Sequence, residues 1–74
     1  MNNLKPIRTA IDLGDIVRQA RKKQGITQVD LASMTDKSHV LLRDLETGKG
    51  SVSLASVLQV LNELGIRMYV EPSQ

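Results

Sequence analysis

The segment between Gly25 and Lys49 places two short helical patterns almost next to each other in the chain. Each pattern follows a hydroxyl residue, Thr27 or Ser38, whose side chain can cap the first turn of a helix. Only a short polar turn remains between the two patterns. Two helices with so short a connection must pack against each other at a steep angle, so this pair constrains the fold more than any other part of the chain.

Longer amphipathic patterns flank this pair on both sides. Thr9 and Asp12 have the spacing of a capping box at the start of a first helix, and Ser53 caps a last helix. Gly14, inside the first helix, predicts a close approach to another element, because glycine is otherwise unfavourable there. The apolar residues predicted to face the core are Leu13, Ile16, Val17, Ala20, Leu31, Ala32, Met34, Leu42, Leu45, Leu54, Val57, Leu58, Leu61 and Leu64.

The two ends of the chain differ from this helical middle. Residues 1–8 are polar and broken by Pro6, which predicts a flexible arm before an all-α domain of four to five helices over residues 9–74. Residues 66–71 alternate between apolar and polar side chains, as a short strand does. Because no second strand is evident, its partner should be the same strand of a second copy, paired antiparallel about a two-fold axis. The predicted dimerisation residues are Ile66, Met68, Tyr69 and Val70.

The composition excludes several classes of protein. The chain has no cysteine and one histidine, so it offers no disulfide or thiolate chemistry and no support for a metal site. A glycine-rich phosphate loop is also missing. The longest apolar run, from Val40 to Leu42, cannot span a membrane, and the N-terminus lacks the apolar core of a signal peptide. We therefore expect a cytoplasmic protein that is not an enzyme and that binds no cofactor.

The charge of the chain gives only weak information about its partners. The net charge is +2, and basic side chains cluster over residues 18–23. Such a cluster is compatible with nucleic acid, but a solvated helix face explains it equally well. The positions of individual side chains must therefore decide between these interpretations.

Two short helices joined by a tight turn form the helix-turn-helix motif, whose second helix enters the major groove of DNA. At the start of the first short helix, Thr27 leaves backbone N–H groups free to meet a phosphate. Gln28, beside it, can donate to the same phosphate. The alternative is a plain helix cap next to an exposed glutamine.

The second short helix carries the side chains that we expect to meet base edges. Arg43 suits guanine, and His39 can donate to a base or a phosphate. Val40 is the outward member of an apolar triplet and suits the methyl group of thymine. An exposed surface histidine and a core valine are the alternatives. The full predicted DNA-binding set is Thr27, Gln28, Lys37, Ser38, His39, Val40, Arg43 and Lys49.

Arg21 and Glu46 are the two least interchangeable charges, because both stand at the inner ends of their helices. We infer a partly buried ion pair between them that ties the first long helix to the second short helix. Two unrelated surface charges are the alternative.

Three stretches of the chain together resemble a known family. They are Arg18-x-x-Arg21, Gly25-Ile26-Thr27-Gln28-x-x-Leu31-Ala32 and Leu45-Glu46-x-Gly48-Lys49. In this order they resemble the XRE/Cro-type helix-turn-helix family of phage repressors. Within that family, Leu13-Gly14 and the stretches 42–46, 54–64 and 65–70 resemble the HipB-like antitoxins.

The resemblance implies a lambda-repressor-like domain that forms a homodimer, partly through its C-terminal strands. It implies binding to double-stranded operator DNA, repression of the chain's own operon and neutralisation of a HipA-like serine/threonine kinase toxin. The family's base-reading positions fall on Ser38, His39, Val40 and Arg43, its phosphate-contacting glutamine on Gln28, and its structural ion pair on Arg21 and Glu46.

The turn departs from the family pattern, which has a glycine followed by an apolar residue where this chain has Asp36 and Lys37. Aspartate tolerates the left-handed backbone conformation better than most residues, and a lysine here has to extend its charged end to water. The positions on the second short helix that contact bases could therefore be shifted by about one residue along the chain. Two other functions also fit the sequence: a stand-alone repressor without a toxin partner, and a protein-interaction module that no longer binds DNA.

Overall fold

The computed structural model describes residues 4–73, which contain four α-helices. The helices are α1 (Ala10–Lys23), α2 (Gln28–Met34), α3 (His39–Thr47) and α4 (Leu54–Glu63). The all-α prediction is confirmed, with the smaller of the two predicted helix numbers. Residues 1–3 of the predicted arm and residue 74 of the predicted domain lie outside the described residues, and residues 4–8 carry no regular secondary structure.

A hydroxyl side chain caps the start of every one of these helices, as the sequence predicts. In each case the side-chain oxygen accepts a hydrogen bond of 3.0–3.2 Å from the backbone N–H three residues later; the caps are Thr9, Thr27, Ser38 and Ser53. At α1 the Asp12 carboxylate completes the capping box and also accepts from the backbone N–H of Arg8 at 2.9 Å. These hydrogen bonds, led by that from Arg8, lower the pKa of Asp12. The box therefore stabilises the fold above the ordinary aspartate pKa, and this contribution is lost as the pH falls through the lowered value.

The core is formed by apolar side chains from all four helices. Its buried members are Val17, Leu31, Ala32, Leu42, Leu45, Val57, Val60, Leu61 and Leu64. Eight of these nine were predicted, and Val60, which is completely buried, was missed. The prediction was wrong for Met34, Leu54 and Leu58, which are 50%, 67% and 40% exposed. Since α4 is apolar around much of its circumference, helical spacing alone does not identify the face that packs.

The turn between α2 and α3 is built around a left-handed aspartate. Asp36 has a φ of +56°, and it is the one non-glycine residue with positive φ in the described part of the chain. The next residue, Lys37, donates its backbone N–H to the carbonyl of Ala32 at 2.8 Å and is half-buried. The tolerance expected of aspartate at this position is thus confirmed, and the turn closes without the glycine that the family usually has.

We expect Asp36→Ala to lower the free energy of unfolding by about 1 kcal/mol, because the left-handed conformation brings Cβ of an ordinary residue close to its carbonyl oxygen. Asp36→Gly removes that strain and should be no less stable than the parent chain. Urea denaturation of the two variants is the measurement. Equal losses for alanine and glycine would show that the aspartate side chain, and not the backbone conformation, matters here.

Two glycines let α1 approach α3 with direct backbone contact. A Cβ atom on Gly14 would lie against the carbonyl oxygen of Leu45 and 2.7 Å from that of Glu46. The close packing predicted for this glycine is confirmed. At the other end of the contact, a Cβ atom on Gly48 would lie 2.6 Å from the backbone nitrogen of Ile11. The start of α1 and the end of α3 therefore approach so closely that there is no room for a side chain at either glycine.

The strand predicted over residues 66–71 is absent from the described residues. The backbone N–H of Ile66 bonds to the carbonyl of Leu61 at 2.9 Å and closes the end of α4. Beyond it, Met68, Tyr69 and Val70 are 43%, 69% and 84% exposed. A strand needs a neighbouring backbone to pair with, and residues 4–73 of a single copy offer none. The predicted strand is therefore wrong for the single chain, in which residues 66–71 remain unpaired.

Candidate nucleic-acid interface

One face of α3 packs into the core while the opposite face is open to solvent. Leu42 and Leu45 are buried and attach the helix to the rest of the domain. On the opposite side, Val40 is 53% exposed and the Arg43 side chain is 62% exposed. An exposed branched apolar residue beside a free guanidinium matches the chemistry of a thymine methyl and a guanine edge. This face of α3 carries Val40 and Arg43, two of the residues that the sequence predicts to contact bases.

The first turns of α2 and α3 lie side by side at one end of this face. Thr27 and Ser38 are both exposed, and each hydroxyl oxygen accepts from a backbone N–H, at 3.0 Å, as a helix cap. Each hydroxyl hydrogen stays available to an outside acceptor, since the cap uses only a lone pair. The next residues, Gln28 and His39, open the two helices and are in direct contact with each other. The structure thus brings four of the predicted site residues together.

Arg21 and Glu46 form an ion pair beneath this end of the surface. The Nε atom of Arg21 lies 2.6 Å from Oε2 of Glu46, and its Nη2 atom lies 3.1 Å from Oε1. Its Nη1 atom donates to the carbonyl of Ile26 at 2.8 Å. The two residues are only 9% and 6% exposed. This bidentate pair connects α1, the α1–α2 loop and α3 in one buried arrangement.

Gln28 extends this arrangement to the surface. Its Nε2 atom donates to Oε1 of Glu46 at 3.1 Å, and its Oε1 atom lies 2.6 Å from Nε2 of His39. Sequence reasoning missed both contacts and placed Gln28 as an independent phosphate contact. The available signal was positional: Gln28 and His39 are both first residues of capped helices, and the tight turn brings these two starts together.

The remaining basic residues of the predicted set occupy the two ends of α3. Lys37 lies in the turn before the helix, and Lys49 follows Gly48, the residue that ends it. Arg43 approaches Asp44 to 3.9 Å, a loose and exposed pairing that leaves the guanidinium free for other contacts. A duplex laid along α3 would therefore meet a positive charge at each end of the helix.

Other kinds of site find no support in the described part of the chain. Residues 4–73 contain no group of three side chains that could hold a metal ion. Within the same residues, no helix is both long enough and apolar enough to cross a membrane.

Comparison with known proteins adds a family model and several relatives. The model described as helix-turn-helix matches residues 17–70. An uncharacterized HTH-type transcriptional regulator of Sinorhizobium fredii, y4mF, is 41% identical over 61 residues, which cover 82% of this chain and 80% of that protein.

Two solved structures are similar over most of the chain. A chain from the HipA-HipB-O2-O3 complex superimposes with a TM-score of 0.83 at 18% identity, covering 96% of this chain and all of that chain. The clp gene regulator ClgR from C. glutamicum superimposes with a TM-score of 0.71 at 29% identity, covering 88% of this chain and 82% of that chain. The first likeness shows a shared lambda-repressor-like fold and no more than the fold.

Proposed function

The chain belongs to the helix-turn-helix family of DNA-binding transcriptional regulators, which are not enzymes, and we propose that it is a homodimeric repressor that reads an operator with α3. The observation that carries the proposal is the open face of α3, where Val40 and Arg43 are exposed opposite a buried leucine face. We expect Thr27 and the lysines near the two ends of α3 to contact phosphates on either side of the groove. Such a repressor acts in the cytoplasm, at the nucleoid.

Selection of random DNA duplexes with the purified full-length chain tests this proposal. We expect enrichment of inverted repeats whose half-sites lie about 34–36 Å apart or a multiple of that distance, because a two-fold dimer imposes its symmetry on the operator. Affinity should fall steeply with salt, since each neutralised phosphate releases counterions. A pure protein-interaction module would enrich no sequence and would show no such salt dependence.

We expect Arg43→Ala to weaken binding to the selected operator by about 1–3 kcal/mol and to relax the preference at one base pair in each half-site. Competition binding against operators changed one base pair at a time is the measurement. Arg18→Ala, an exposed arginine on α1, is the matched control. Equal losses of specific and non-specific affinity in Arg43→Ala would make Arg43 a phosphate contact and would shift the register of α3 on DNA.

Dimerisation is proposed along the C-terminal segment, where an open groove gathers exposed apolar side chains, including Leu4, Met68 and Val70. Residues 66–71 line this groove together with residues 4–7 of the N-terminal arm and part of α1. Four charged residues stand around it: Lys5, Asp15, Arg67 and Glu71. A groove with two positive and two negative charges can pair opposite charges across a two-fold axis, which favours a second copy of the chain as the occupant. Antiparallel pairing of the two segments would supply the backbone partners that a single copy lacks.

We expect Met68→Pro to weaken the dimer, because proline removes a backbone donor from the proposed ladder and an apolar side chain from the groove. Met68→Leu keeps both features and is the control. Sedimentation equilibrium over a concentration series would measure the dissociation constants. An unchanged dimer in Met68→Pro would place the interface elsewhere on the molecule.

The second part of the proposal is that the repressor serves as the antitoxin of a HipA-like serine/threonine kinase toxin. Its support is the resemblance to HipB-like antitoxins in residues 42–46, 54–64 and 65–70, together with a fold shared with a chain solved in a HipA-HipB complex. Co-expression with a kinase-like neighbour in the operon, followed by co-purification and a growth assay, tests it. A chain that represses its promoter but neither binds nor neutralises such a neighbour would be a stand-alone repressor.

A further inference from the structure

A continuous chain of hydrogen bonds leads from the buried ion pair to the exposed start of α3. It passes from the Glu46 carboxylate to the Gln28 amide, over 3.1 Å, and from that amide to the His39 ring, over 2.6 Å. Glu46 is 6% exposed, Gln28 is half-buried, and His39 lies at the surface. A charge inside the domain is thus connected to a side chain on the proposed reading surface.

The chemistry of the three groups fixes the direction of every hydrogen bond in this chain. The Glu46 carboxylate, held by the Arg21 guanidinium, can only accept, so the atom of Gln28 that faces it must be the amide nitrogen. The amide oxygen of Gln28 therefore faces His39. That oxygen can also only accept, so the Nε2 atom of His39 must carry a hydrogen. In the neutral ring the proton is then on Nε2, and the Nδ1 atom is an acceptor.

We infer that Glu46 is a positioning residue for DNA recognition: acting through Gln28, it orients the His39 ring and holds its Nε2 atom protonated, so that Nδ1 is presented to the DNA. This inference rests on the proposed function, and it changes the role of Gln28 from a phosphate contact to a link within the protein. A neutral ring with an acceptor at Nδ1 matches the exocyclic amino group of adenine or cytosine in the major groove. His39 therefore selects a base pair that offers such an amino group.

Nuclear magnetic resonance of the free full-length protein tests the protein half of this inference without DNA. Because the chain has one histidine, its ring signals belong to His39 alone. In the neutral ring we expect a proton on Nε2 that is protected from exchange with water. Gln28→Met should remove this protection, while Gln59→Met, which loses a hydrogen bond to Thr35 instead, should retain it. Protection that survives Gln28→Met would overturn the inference.

Selection of random duplexes tests the DNA half. The parent chain should prefer an amino-bearing base by roughly 5- to 100-fold at one position of each half-site. Both Gln28→Met and His39→Ala should remove that preference, and combining them should cost no more than His39→Ala alone, because Gln28 acts through His39. A Gln28→Met variant that keeps the preference but shows a shallower salt dependence is a lost phosphate contact and contradicts the inference.

Glu46→Gln tests the origin of the orientation. A neutral amide at position 46 that keeps its oxygen opposite Nε of Arg21 turns its N–H group toward Gln28 and gives up the hydrogen bond from Nη2 of Arg21. Gln28 then turns its own N–H group toward His39, and the ring proton moves to Nδ1. We expect the ring-nitrogen shifts to report that change, and the base preference to move away from amino-bearing bases. If this variant fails to fold, Gln28→Met decides the question alone, because it leaves the ion pair intact. A parent chain that selects no sequence refutes the proposed function, whereas a specific parent chain unaffected by Gln28→Met refutes only this inference.

Discussion

Replacing Arg21 by methionine should lower the free energy of unfolding by about 3–5 kcal/mol, because it leaves the Glu46 carboxylate buried without its partner. Methionine keeps most of the apolar stem of the arginine, so the loss reports on the charge and the hydrogen bonds rather than on packing. The carbonyl of Ile26 loses its donor in the same step. Since a domain of this size has only a small margin of stability, the variant should be largely unfolded at growth temperature.

Two further variants separate this explanation from a general loss of positive charge. Arg18→Ala removes an exposed arginine one turn earlier on α1 and should change stability by less than about 0.5 kcal/mol. The double variant Arg21→Met, Glu46→Leu removes both charges, and it should be more stable than Arg21→Met because no buried charge is left unpaired. Thermal and urea denaturation of the variants measure these differences. A double variant as unstable as Arg21→Met would mean that packing, rather than the unpaired carboxylate, sets the cost.

The helix starts could be predicted from the sequence because a cap is a local interaction. Thr9, Thr27, Ser38 and Ser53 each bond to a backbone group three residues away, and no other part of the fold decides that contact. The turn at Asp36 belongs to the same class, since its left-handed conformation depends on one residue. Short-range interactions of this kind are determined by the local sequence.

The choice of buried face on α4 could not be predicted in the same way. Leu54, Leu58 and Val60 are all apolar and all lie on one short helix, yet only Val60 is completely buried. Which of them packs depends on the angle at which α4 meets the rest of the domain. That angle is set by the contacts among several helices, so the spacing of apolar residues within α4 does not determine it.

In the candidate site, too, some features follow from the local sequence and others depend on the packing of several elements. The exposure of Val40 follows from its position opposite Leu42 and Leu45 on α3. The link from Glu46 through Gln28 to His39 joins residues that are 11 and 18 positions apart in the chain, and it exists only when α2 and α3 are packed. The strand predicted over residues 66–71 would depend on a second copy of the chain, which is the partner that the proposed dimer would supply. Each missed or open feature thus requires contacts beyond a single helix.

Gly48→Ala should be strongly destabilising, because it combines two separate costs at the contact between α1 and α3. Gly48 has a φ of +72°, and placing an ordinary residue in this left-handed region costs about 1–2 kcal/mol. The new Cβ atom would also lie 2.6 Å from the backbone nitrogen of Ile11. Overpacking of this kind costs about 1–3 kcal/mol more. The Ile11 nitrogen is main chain in the first turn of α1, so it cannot move aside as a flexible side chain would.

Comparison with Gly25→Ala isolates the second of these costs. Gly25 has nearly the same backbone conformation, with a φ of +71°, but a Cβ atom there has nothing within 4 Å. The two variants should therefore share the conformational cost, and the extra loss in Gly48→Ala measures the close approach of α1 to the end of α3. Urea denaturation of both variants gives this difference directly. Because the same contact helps to position α3, which carries the proposed reading surface, Gly48→Ala should also weaken operator binding. Equal stability losses in the two variants would mean that α1 can move away from α3 at little cost.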